Sequence, residues 1–129
     1  MSNRPMIILA EPEEAIRNSV EMILLDEGYD CHAVADFQAL LRAIHLHDCD
    51  LIIADITFMH RNIESILLAQ QSYSTSAPPI LITLYYQRIR DMLHLMKFKV
   101  TEYLIKPFNF DEMLGRISNM MDDQSSLRL

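Results

Sequence analysis

"DLIIAD", residues 50–55, places four apolar residues between two aspartates. A run that short, rich in Ile and Leu and without polar alternation, reads as a strand covered on both faces. Asp55 then falls just past its carboxyl end. The same reading applies to "MIILA" (6–10), "PILIT" (79–83) and "EYLI" (102–105). "DCHAV" (30–34) is more polar and suits an edge strand.

Between these runs the apolar period lengthens to that of a helix. Ile16, Val20, Ile23 and Leu24 form one stripe, ended by Gly28 at a C-cap. Asp36 caps a second helix carrying Phe37, Leu40, Leu41 and Ile44. Ile63, Ile66 and Leu67 mark a third; Met92, Leu93 and Met96 a fourth. Met113, Leu114, Ile117, Met120 and Met121 mark a fifth, which begins after Asn109. Packing into a core is the plain function of these stripes. Strand and helix alternate five times, so the expected fold is α/β: a doubly wound, five-stranded parallel sheet with five helices and right-handed crossovers. One domain is expected over residues 1–124, with 125–129 as a flexible tail or the start of a linker. "SYSTSAPP" (72–79) is the one turn-rich connection.

Composition narrows the function. Half of the 129 residues are hydrophobic, enough to build one core. The net charge of −7 argues against this domain gripping nucleic acid. Only Gly28 and Gly115 are glycines, which excludes a glycine-rich phosphate loop. No apolar run reaches bilayer length, no membrane contact is expected, and "MSNRPM" lacks a signal-peptide pattern; a cytoplasmic protein is expected. Cys31 and Cys49 read as buried thiols rather than a disulfide.

In an open α/β sheet, ligands bind beyond the carboxyl ends of the strands. There the sequence puts Glu11, Pro12, Glu13 and Glu14 after the first strand and Asp55 after the third. Thr83 ends the fourth, and the fifth leads into Lys106 and Pro107. Acids suit a hard cation such as Mg²⁺, and a lysine with a hydroxyl suits a phosphoryl group. Together they point to phosphoryl transfer onto a nucleophilic Asp55.

With "DLIIADI", "PPILITL" and "EYLIKPF" in this order, the chain resembles the receiver domain of response regulators, from about Met6 to Met121. The resemblance implies the flavodoxin-like receiver fold and phosphoryl transfer to Asp55 from a histidine kinase or phosphotransfer protein. It implies Mg²⁺ held by Asp55, Glu11 and the Thr57 carbonyl, with Glu13 or Glu14 as further reach, and Lys106 paired with the phosphoryl oxygens. It gives Thr83 and Tyr103 the roles of switch residues and Lys106–Pro107 a cis peptide bond. Signalling, or a homodimer, would use the face of helix 4, strand 5 and helix 5.

The departures gather at the chemistry. Counting back from Gly28, the family's adjacent acids fall on Glu11 and Pro12, so a direct metal ligand is replaced by proline. Pro12 fits the first turn of the first helix, with Glu13 and Glu14 at the positive end of its dipole. Leu84, Tyr85 and Tyr86 follow Thr83 where a small residue is usual, and Leu84 is expected to narrow access to Asp55. The loop "ITFMHRNIE" has neither the usual proline nor the usual glycine. These departures keep a second function open: an atypical receiver that binds partners without phosphorylation. A flavin binder is a weak third reading, since the first loop lacks the Ser/Thr/Gly run that wraps a flavin phosphate.

Each candidate also has a plain structural reading. Asp55 suits a strand-end cap, Lys106 a solvated loop, Thr83 a strand position and Tyr103 packing. His45, His47 and Cys49 form an H-x-H-x-C string spanning a helix end and a strand, which suits two surface histidines and a buried thiol better than a metal site. His60 and Arg61 read as solvated loop residues near the acceptor. Tyr85, Tyr86 and Phe98 suit either a partner surface or partial core packing.

Overall fold

A computed structural model describes residues 4–59, 62–73, 77–98 and 102–127. His60 and Arg61 lie outside the described residues. The strands are β1 (Met6–Ala10), β2 (Asp30–Val34), β3 (Leu51–Asp55), β4 (Ile80–Tyr85) and β5 (Glu102–Lys106). All pair in parallel in the order β2-β1-β3-β4-β5, so the polar β2 run does form an edge.

Because strand side chains alternate faces, each apolar strand feeds two cores. Ile8, Ala10, Ile52, Ala54, Ile80, Ile82 and Leu84 face one side. There they meet α2 (Phe37–Leu46), α3 (Ile56–Met59), α4 (Ile63–Tyr73) and α5 (Ile89–Leu95). Ile7, Leu9, Leu51, Ile53 and Leu81 face the other side, against α1 (Glu14–Asp26) and α6 (Phe110–Leu127). Each such side chain taken from water contributes about 1.5–3 kcal/mol. The central strand β3 is buried along its whole length, which is why its run shows no alternation.

Helix ends follow local chemistry. Asp36 Oδ1 accepts the Ala39 amide at 2.8 Å at the start of α2, and Asn109 Oδ1 accepts the Glu112 amide at 2.7 Å at the start of α6. Past α1, Gly28 takes φ 99°, a region L side chains rarely enter. Its amide bonds to the Leu25 carbonyl and the Tyr29 amide to the Leu24 carbonyl, a Schellman closure. Arg4 adds a cover from outside the helix: its guanidinium donates to the carbonyls of Leu25, Gly28 and Tyr29 at 2.6–3.0 Å.

Three expectations are corrected. Among the described residues there are six α-helices and one 3₁₀ turn (Tyr86–Arg88), not five helices. The added α3 is one turn long, too short to show a helical period. The helix 4–strand 5–helix 5 face is thus α5–β5–α6. Pro12 precedes α1 rather than entering its first turn, because Glu13 is the N-cap residue in an extended conformation. Finally, α5 buries Met92 and Leu95, while Leu93 (62% exposed) and Met96 (57% exposed) face solvent.

Candidate functional site

Glu11, Asp55, Thr83 and Lys106 are the buried polar or charged side chains among the described residues. Glu11 follows β1, Asp55 and Lys106 end β3 and β5, and Thr83 lies two residues before the end of β4, all toward the carboxyl rim of the sheet. Thr83 pairs with Asp55 in the β3–β4 ladder, so their Cα atoms are roughly one strand spacing, about 5 Å, apart. Lys106 closes the group from β5. Its Nζ lies 2.6 Å from Asp55 Oδ2 and 2.6 Å from Glu11 Oε1.

One ammonium thus serves two carboxylates in a place with little water, where charge pairing is much stronger than at a surface. Burial alone would pull the Lys106 pKa down. The hydrogen bonds and charges of Asp55 and Glu11 outweigh it and hold that pKa above its ordinary value. The remaining acid oxygens are also engaged. Glu11 Oε2 accepts the Glu13 amide at 2.9 Å. Asp55 Oδ1 accepts the Thr57 amide at 2.9 Å and the Thr57 hydroxyl at 2.7 Å. Asp55 therefore caps the short helix α3 as well as facing Lys106.

Mg²⁺ demands near-octahedral oxygen ligands. Here Pro12 is exposed and offers no side-chain oxygen, and Glu11 and Asp55 are committed to protein donors. Among the described residues no group of three or more acidic, His or Cys side chains is placed to hold a metal. The carboxylates this rim offers a cation are therefore Glu11 and Asp55, and both are already bonded to protein donors.

A second layer covers the group, and the sequence reading missed its form. Leu84 is fully buried in the core beside Ile80 and Ile82. It does not stand over Asp55, because strand alternation turns it to the opposite face. Tyr85 instead falls on the same side as Thr83 and pairs with Lys106 in the β4–β5 ladder. Its ring centroid lies 5.1 Å from Lys106 Nζ, and its hydroxyl donates to Glu13 Oε1 at 2.9 Å. That hydrogen bond is the main cause of a raised Tyr85 pKa. Strand register was the available signal: two residues past Thr83 returns to the same rim.

The other candidates are dispersed. Tyr103 lies 36% exposed on β5. The Lys106–Pro107 peptide bond is cis. In the H-x-H-x-C string, the His47 ring lies against His32 of β2 in a tilted contact, with centroids 4.5 Å apart and planes at 39°. Cys49, expected to be buried, is only half-buried, and so is Cys31; both are free thiols whose partial burial pushes their pKa to about 12. Phe98 packs partly against the core, with Lys97 over its ring; Tyr86 is exposed.

The architecture recurs in solved structures. A CheY-like response regulator receiver domain protein from Methanospirillum hungatei JF-1 matches with TM-score 0.80 and 18% identity, over 96% of this chain and 98% of that one. An adenylate cyclase from Rhodopirellula baltica matches with TM-score 0.82 and 14% identity, over 97% and 93%. At these identities the likeness is one of fold. By sequence, the chain is similar to Response regulator ArlR of Staphylococcus saprophyticus, 27% identical over 95% of this chain and 55% of that protein. It is also similar to Transcriptional regulatory protein DltR of Streptococcus agalactiae, 29% identical over 94% and 53%. The chain spans about half the length of the curated relatives it matches. The response regulator receiver domain profile matches residues 7–118, most of the chain, and the protein belongs to the response regulator receiver family.

Proposed function

We propose that this chain is a phosphoacceptor module of a two-component pathway, with Asp55 as the acceptor. The observation that carries this reading is the buried contact of Lys106 Nζ with Asp55 Oδ2 at 2.6 Å, with Thr83 in register beside it. In the transfer, an Asp55 carboxylate oxygen attacks the phosphorus of a phosphohistidine on a kinase or phosphotransfer protein. The O–P bond forms as the N–P bond breaks, and the electron pair leaves with the imidazole, which takes up a proton. Lys106 moves from the carboxylate to the phosphoryl oxygens and neutralises part of their charge. Thr83 donates its hydroxyl to the new group. The added negative charge then redistributes Tyr103 and the α5–β5–α6 face, where exposed Leu93 and Met96 offer a surface for a partner or a second copy.

The test is incubation with acetyl phosphate, with and without Mg²⁺, read by intact mass. The expected result is one phosphoryl group on the wild-type chain and none on Asp55→Asn. Labelling of Asp55→Asn at the wild-type level overturns the assignment.

One observation favours a second reading. Pro12 removes an acid, and both remaining carboxylates are already satisfied by Lys106, Thr57 and the Glu13 amide. Such a site is stable without metal or phosphate, as an atypical receiver that only binds partners requires. That reading expects no phosphoryl label under either condition and no response to Mg²⁺ in the tyrosine fluorescence.

A further inference from the structure

Asp55 and Lys106 are almost wholly buried, yet a phosphodonor has to reach the acceptor. Tyr85 lies beside the buried group. Its backbone belongs to the last residue of β4, its ring lies over the ammonium of Lys106, and its hydroxyl reaches Glu13 at the start of α1. One side chain therefore spans from the β4 tip to the α1 N-terminus, above the group formed by Glu11, Asp55 and Lys106. Beside it lies a cavity of about 280 Å³ whose walls include Ile16, Ser19, Tyr85, Lys106, Pro107 and Phe108. Tyr85 thus joins the wall of the cavity to the ammonium of the buried charged group.

We infer that Tyr85, latched by Glu13, is the access-determining residue of this site: a phosphodonor reaches Asp55 only when the Tyr85–Glu13 hydrogen bond opens and the ring swings off Lys106. The inference rests on the phosphoacceptor reading for its consequence, but the latch itself is a statement about access. Its parts are suited to opening. Tyr85 is 40% exposed and Glu13 is exposed, so a hydrogen bond at the surface holds the ring in place. The bond also keeps the Glu13 carboxylate directed at a hydroxyl rather than at the buried acids. Tyr85 makes no contact with the attacking oxygen, so it acts on which donor enters and how fast, not on the bond-making step.

The experiment measures access independently of phosphorylation. Acylation of Lys106 by a small, water-soluble acetylating ester is followed by peptide mass spectrometry in wild type, Tyr85→Ala, Tyr85→Phe and Glu13→Ala. The peptide carrying the exposed Lys97 serves as the internal rate reference, and each variant is first shown to melt cooperatively. Removing the ring or its anchor is expected to raise Lys106 acylation about tenfold, as opening of a locally closed element does. Tyr85→Phe, which keeps the ring and loses the hydroxyl, is expected to match Glu13→Ala. Acetyl phosphate labelling of Asp55 is expected to rise in the same order. Acylation within twofold of wild type in both Tyr85→Ala and Glu13→Ala overturns the latch. Faster acylation with no label on Asp55 in any variant upholds the latch and overturns the phosphoacceptor reading instead.

Discussion

Lys106 balances two acids with one charge, and the imbalance makes its neighbours unequal. Lys106→Met leaves Glu11 and Asp55 buried together without a cation, and breaking a buried pair in this way costs about 3–5 kcal/mol. Asp55→Asn leaves a matched Glu11–Lys106 pair and is expected to cost far less, so urea midpoints at neutral pH should rank Lys106→Met well below Asp55→Asn. Titration adds a sign. The Lys106 pKa is raised on folding, so its contribution is complete below the unfolded value near 10.5 and is lost as pH rises through the folded value. The thiols act in the same direction, since Cys31 and Cys49 move from 9.0 to about 12. Stability should therefore fall from about pH 9 upward, measured by urea unfolding across that range. The same shift predicts that iodoacetamide alkylates these cysteines at pH 8 about a thousandfold more slowly than in the unfolded chain, because less thiolate is present. At this scale the sequence was informative where chemistry needs a particular atom. Asp55, Lys106, Thr83 and Glu11 all reach one rim. Tyr85 was read as partner surface or partial packing, with Leu84 as the obstruction, because the Tyr85 bond to Glu13 crosses 72 residues and no local pattern encodes a contact of that separation.

Among the elements, ends were more legible than interiors. Asp36, Asn109 and Gly28 each mark a terminus through a local hydrogen bond or a required φ, and local rules are visible in a sequence. Gly28→Ala should cost about 1–2 kcal/mol, the conformational penalty alone, because an added Cβ would meet nothing within 4 Å. Thermal unfolding of that variant checks the figure, and Asp36→Ala should lose about 1 kcal/mol for want of its cap. The fourth helical stripe was misread for a related reason. Met92, Leu93 and Met96 are equally apolar, but which of them is buried depends on how α5 rotates against the sheet. Hydrophobicity constrains that rotation in only one direction, since surfaces carry much apolar area. The short α3 was invisible because one turn has no period; it exists because Asp55 caps it through Thr57.

For the whole molecule, the doubly wound sheet followed from alternation of strand and helix, and the parallel run of buried strands left few other topologies. The order β2-β1-β3-β4-β5 brings residues 11, 55, 83 and 106 to one edge although they are scattered along the chain. If charge added at that edge reshapes the α5–β5–α6 face, phosphoryl-labelled protein should change its elution in size-exclusion chromatography. Leu93→Asp, at an exposed position on that face, should abolish the change while leaving the extent of labelling intact.

Arg4 carries a practical lesson for anyone expressing this protein. Three main-chain oxygens at and just past the end of α1 accept from a side chain lying just ahead of the first strand. Trimming a few seemingly dispensable leading residues, or fusing a tag directly onto Met6, would strip that cover and fray a helix more than twenty positions away in the chain.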